Sequence, residues 1–110
     1  MNIQHWINLT AHEIRIKRTT TADLVIPPDG RLARLIEVET SRLTVDDVEV
    51  RHLRYGELAD LPEPQLGTAF IVSRVTAEAA RRPDVYFPDR EIRDDTGKII
   101  ACEGLGHFVP

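Results

Sequence analysis

A two-residue alternation of apolar and polar side chains recurs along this chain and restricts its fold more than any other feature. Ile14 and Ile16 bracket Arg15, Ile36 and Val38 bracket Glu37, and Val48 and Val50 bracket Glu49. Successive side chains of a strand point to opposite faces, so this period predicts strands with one buried and one wet face. Turn formers fall between the alternating stretches: Pro27-Pro28-Asp29-Gly30, Asp46-Asp47, the Pro-rich 61–67 segment and Asp94-Asp95-Thr96-Gly97. Their side chains and backbone preferences suit reversals of direction. Strands are therefore expected near 3–9, 13–17, 23–26, 32–40, 48–55, 68–73, 90–93 and 98–102. The last two read as a hairpin in which Gly97 takes a positive φ. One short helix is expected near 74–82, capped by Ser73 and stopped by Pro83. Glu78 precedes Arg81 and Arg82, the order a helix dipole favours, and Val75 and Ala79 are expected to face the sheet. The fold class is thus mainly β, a compact antiparallel β-barrel or β-sandwich with one short helix, in a single domain over 1–110.

At 110 residues the chain is long enough for one core without metal or disulfide staples. No apolar run approaches the roughly 18 residues that span a bilayer, so no membrane association is expected. The single Cys102 cannot form an intrachain disulfide, and residues 1–6 lack the basic and apolar regions of a leader. Both fit a cytoplasmic location in a bacterial host cell. With 18 acidic against 14 basic residues and a net charge of −4, the chain is poorly suited to long nucleic acid, whose affinity comes from neutralising many phosphates. Twelve of the basic residues are Arg, and only Lys17 and Lys98 are Lys. That bias is either a coding effect or a device for gripping small anions with planar guanidinium groups.

The segments Ile7-Asn8-Leu9-Thr10-Ala11-His12, Pro27-Pro28-Asp29-Gly30-Arg31-Leu32-Ala33-Arg34, Gly67-Thr68-Ala69-Phe70-Ile71-Val72-Ser73 and Arg93-Asp94-Asp95-Thr96-Gly97-Lys98 occur together. So do Tyr55-Gly56-Glu57 and the following Leu61-Pro62-Glu63-Pro64. In these the chain resembles a family of small, mostly uncharacterised bacteriophage and prophage proteins that begin with an Asn-Leu-Thr-Pro-His segment. The likeness runs over nearly the whole chain and departs at Ala11, where the family has Pro. It implies a viral or prophage origin and brings no activity with it.

Enzymatic signatures are weak. His5, His12, His52 and His107 lack metal-ligand spacing, so no metal is expected, and no cofactor is implied. Ser73 and Cys102 sit in no nucleophile elbow, and Gly104-Leu105-Gly106 lacks the Lys and helix of a phosphate loop. Binding residues are easier to find. Asn8, Thr10 and His12 share one face if their stretch is extended, and they either line a cleft or make local turn bonds. Arg51 and Arg54 lie beside His52 and Tyr55, Arg74 follows the expected cap, and Arg90 and Arg93 follow Tyr86 and Phe87. Guanidinium for phosphate and a ring for the base would hold a nucleotide; alternatively, these arginines pair with strand carboxylates. The expected function is non-enzymatic sequestration of a small anionic, nucleotide-like signal, as an anti-defence sponge. The alternative is an interaction or inhibitor module that offers a strand edge or the 61–67 loop to a host protein. Exposed strand edges, with Val48, Val50, Leu53 and Tyr55 as a candidate, lead us to expect a homo-oligomer, with a dimer as default.

Overall fold

The structure, a computed structural model, describes residues 2–109. It has the expected mainly-β character: β1 (His5–Asn8), β2 (Ile14–Ile16), β3 (Leu24–Ile26), β4 (Arg34–Val45), β5 (Val48–Ala59), β6 (Thr68–Ile71), α1 (Arg74–Ala80), β7 (Val85–Arg93) and β8 (Ile99–Gly106). Six strands form one sheet in the order β1-β6-β7-β8-β2-β3. The sheet curls until its two ends nearly meet, giving the barrel shape. At the seam, Asn8 bridges Pro28 in parallel register, and the Asp29 amide donates to the Asn8 carbonyl at 2.9 Å. Pairing within the sheet is mixed rather than uniformly antiparallel: β1 with β6, β6 with β7 and β2 with β8 run parallel. The parallel step from β6 to β7 is made by α1, because two parallel strands cannot be joined by a tight turn.

β6 lies between two parallel neighbours, and all four of its residues are buried. Such a strand reads as a continuous apolar run without alternation, which is what Ala69-Phe70-Ile71 provides. Phe70 and Val72 point to the side covered by α1, where they pack with Leu9, Ala77, Val85 and Phe87. Ile71 points the other way and joins Ile14, Ile16, Ile26 and Cys102. One short strand thus ties two apolar clusters together.

Ser73 caps α1 as expected, its hydroxyl oxygen accepting from the Thr76 amide. The buried face of the helix differs from expectation. Thr76 and Ala77 are buried, whereas Val75 is 40 % exposed and Ala79 is also exposed. In a helix of seven residues with several alanines, apolar spacing does not discriminate between faces. Arg81 closes the helix in the left-handed conformation (φ 47°), and its amide donates to the Ala77 carbonyl. Arg81 and Arg82 therefore lie beyond the last helical turn rather than within it.

The strands also differ in length. β7 begins at Val85 instead of 90, with Pro88 inside it. β6 reaches only as far as Tyr86 on β7, so at Pro88 a neighbour remains on one side only and the missing N–H is tolerated. β4 and β5 form a separate two-stranded ribbon of 12 residues per strand. The radius of gyration of 16.6 Å exceeds the about 13 Å expected for a compact chain of this size, because the ribbon projects as an arm. Its base packs on α1. Both faces of its outer half are exposed, contrary to the expectation of one buried face. No helix among the described residues is long and apolar enough to cross a membrane.

Candidate functional site

A groove of about 860 Å³ opens where the β1–β2 turn, the start of α1, and strands β2, β7 and β8 meet. It lies within the size range of small-molecule sites. Four of the ten residues singled out in the sequence line it: Thr10, His12, Arg74 and Arg90. They come from the turn, the helix start and β7, far apart in the chain.

Asn8 holds the turn in place from beneath the groove and does not open into it. It is 1 % exposed and fully hydrogen-bonded. Its Nδ2 donates to the carbonyls of His12 (2.8 Å) and Ile26 (3.1 Å), while Oδ1 accepts from the Thr10 amide (2.9 Å) and hydroxyl (2.6 Å). Of the two readings open for Asn8 and Thr10, local turn bonding describes both. Thr10 still reaches the groove wall, and the exposed His12 ring projects from the end of the turn.

Arg74 is oriented by rings. Its guanidinium carbon lies 5.0 Å from the Phe87 centroid and 5.6 Å from that of Phe108, and the two rings stack on each other. Cation–π attraction confines the side chain while leaving its N–H groups available. Arg90 adopts φ 53° inside β7, a left-handed conformation that costs a non-glycine residue about 1–2 kcal/mol. Its guanidinium approaches Asp89 at 3.4 Å and Glu103 at 3.8 Å, both long and solvated contacts. Backbone strain at a groove-lining arginine is the kind of local cost that functional sites carry.

The other candidates lie elsewhere. Arg51 donates to Glu39 at 2.8 Å, and Arg93 donates to the Gly97 carbonyl at 2.7 Å, so carboxylate pairing and turn closure account for them. Arg54 and Tyr55 sit on the projecting arm. Tyr86 packs edge-on against Trp6 (5.3 Å) and stacks with His107 (5.0 Å), whose Nδ1–H donates to the Val85 carbonyl. Neither expected ring, Tyr55 or Tyr86, lines the groove; the arginine that meets aromatic rings is Arg74, over Phe87 and Phe108.

Residues not singled out complete the wall. Arg15 and Lys98 add positive charge, Glu13, Asp89 and Glu91 add carboxylates, and Ile99 and Ile100 add an apolar surface that is 44 % and 49 % exposed. The available signal for Arg15 was its place between Ile14 and Ile16, which sends it to the wet face of β2. Ser73 lines the groove with its hydroxyl donating to Thr76 Oγ1 at 2.8 Å, a capping contact rather than a pairing with a base. Cys102 is buried, and desolvation pushes its thiol pKa up, which keeps it protonated and unreactive. Among the described residues there is no cluster of three metal-ligating side chains. No family model, curated protein or solved structure matches the chain.

Proposed function

We propose that the chain is a non-enzymatic binding protein, of phage or prophage origin, that sequesters a small anionic, nucleotide-like signal in this groove. The observation that carries the reading is the convergence of Thr10, His12, Arg74 and Arg90 on one hollow of ligand size. The wall suits the parts of such a ligand. Arg74 and Arg90 offer charge-assisted hydrogen bonds to a phosphate, Glu13, Asp89 and Glu91 accept from sugar hydroxyls, and Ile99 and Ile100 offer a surface for a base. Sequestration asks only for affinity, so it places no demand for an activated nucleophile.

The experiment is a calorimetric titration of the native protein with a panel of mono-, di- and cyclic nucleotides and ADP-ribose derivatives. Binding by at least one member is expected, and Arg74→Ala or Arg90→Ala should weaken it by about 10- to 100-fold, the scale of one charge-assisted hydrogen bond. Arg51→Ala should leave it unchanged, since Arg51 is on the arm. Absence of heat with the whole panel refutes the reading.

Recognition of a protein is favoured by a separate observation. The 61–67 loop leaves Leu66 wholly exposed, and the arm presents two unpaired strand edges. A stoichiometric host protein captured by the native chain, and lost with Leu66→Asp or with a shortened arm, would support this second role.

A further inference from the structure

The arm is an amphipathic ribbon, and among the described residues nothing covers Leu43, Val45 and Val48 on the outer part of its apolar face. The cross-strand register assigns the faces. Val45 opposes Val48, Leu43 opposes Val50, Ser41 opposes His52 and Val38 opposes Arg54, so these pairs share one face. Thr44 with Glu49, Arg42 with Arg51, Glu39 with Leu53 and Glu37 with Tyr55 share the other. A bulge at Thr40 keeps the two sets in phase across the register shift.

The second face satisfies its own charges. Arg42 bonds Glu39 at 2.9 Å and Glu49 at 3.0 Å, and Arg51 bonds Glu39 at 2.8 Å. The first face carries Leu43, Val45, Val48 and Val50 as a patch toward the tip, with Val48 60 % exposed. A lone two-stranded ribbon is at best marginally stable in water, and an apolar face of this kind requires a cover.

We infer that a second copy of this chain covers it, the two arms stacking face to face and antiparallel about a two-fold axis near Leu43 and Val50. Charge complementarity fixes the occupant and the register. Arg54 is the only charged residue of the apolar face and enters none of the described ion pairs, nor do the exposed Asp46 and Asp47 of the tip. Asp47 lies three residues from Val50 toward the tip, and Arg54 lies four residues toward the base. At about 3.4 Å per residue, antiparallel stacking on that axis brings each acidic tip to the partner's Arg54, within reach of a flexible guanidinium. Centring the overlap on Arg54 itself would oppose like charges, which disfavours the deeper register. Two such faces bury on the order of 1,000 Å², at the low end for a specific interface, so the dimer forms in the micromolar range. Because the same patch serves both copies, the contact is closed and generates no filament.

The test is sedimentation velocity of the full chain between about 1 and 100 µM. A rise from the 12.5 kDa of one chain to twice that mass is expected. Val48→Asp, at an exposed position, should weaken dimerisation at least tenfold, with an unchanged melting temperature in protein dilute enough for both forms to be monomeric. Thr44→Lys, on the opposite face, should leave it intact. Arg54→Glu should weaken it in the wild-type background and have no further effect when Asp46 and Asp47 are both Asn, a residue that keeps the left-handed turn. A monomer at every concentration, or a dimer indifferent to Val48→Asp, overturns the inference. A dimer in which Arg54→Glu acts equally in both backgrounds overturns the register.

Discussion

Asn8 joins the two ends of the curled sheet, so replacing it measures how much the seam contributes to stability. Asn8→Ala removes the donor that serves the buried Ile26 carbonyl and the acceptor that serves the Thr10 amide. The His12 carbonyl keeps the Thr10 hydroxyl as a donor at 3.1 Å, so it is not left unpaired. Each buried polar group left unpaired costs about 1–3 kcal/mol, so the seam should lose about 3 kcal/mol in all. That is a large fraction of the about 5–15 kcal/mol typical of a domain. Thr10→Val removes only the hydroxyl that donates to Asn8 Oδ1 and should cost about 1 kcal/mol. Asn8→Asp is the sharper probe. It turns the donor toward two carbonyl oxygens into an acceptor, so the carboxyl's folded-state pKa is raised above its unfolded value of about 4. The ionisation penalty is then absent below that unfolded value and fully present above the raised one, so this variant regains stability on acidification. Urea denaturation followed by circular dichroism between pH 3 and 8 gives all three quantities. An Asn8→Ala cost below 1 kcal/mol, or an Asn8→Asp variant that loses stability on acidification in parallel with the wild type, would refute the seam as described.

Two other expectations concern particular contacts. A Cβ at Gly106 would overlap the ring of Phe87, its cross-strand partner, so Gly106→Ala should destabilise by about 1–3 kcal/mol, while Gly30→Ala meets no atoms and is limited to its left-handed strain; comparable melting temperatures for the two would show that the ring yields. Asp94 accepts from the Thr96 hydroxyl and from the amides of Thr96 and Lys98, which holds its pKa below the ordinary value. A depressed folded pKa gives stability that is complete above about pH 4 and is lost as pH falls through the folded value. Asp94→Asn should flatten that part of the acid limb in a pH series of thermal melts, and an unchanged limb would show that the turn does not contribute.

The strand-rich fold was legible because alternation and turn chemistry are local. The Asp46-Asp47 reversal, with both residues at positive φ, and the Asp94–Gly97 turn of the last hairpin are where residue type alone placed them. What local patterns do not encode is partnership. β1 pairs in parallel with β6 across about sixty residues of chain, and nothing in either stretch names the other. The arm was underestimated because Thr40-Ser41 breaks the alternation at a bulge, which ended the expected strand at 40 although β4 continues to Val45. Pro88 concealed the first half of β7 in the same way. Site residues divide along this line. Thr10 and His12 are legible together because they stand two positions apart, but Arg74 and Arg90 meet them only through the tertiary fold. Arg51 and Arg54, beside Tyr55 in sequence, belong to the ribbon.

Titration calorimetry of the nucleotide panel into wild-type protein and Arg74→Ala tests the binding function most directly. Saturable heat is expected with the wild type for at least one phosphate-bearing ligand, with a 10- to 100-fold weaker constant when Arg74 is removed, the equivalent of about 1.5–3 kcal/mol. Equal affinity for the two proteins would move the site out of the groove, and no heat from any ligand would show that the groove does not bind nucleotides.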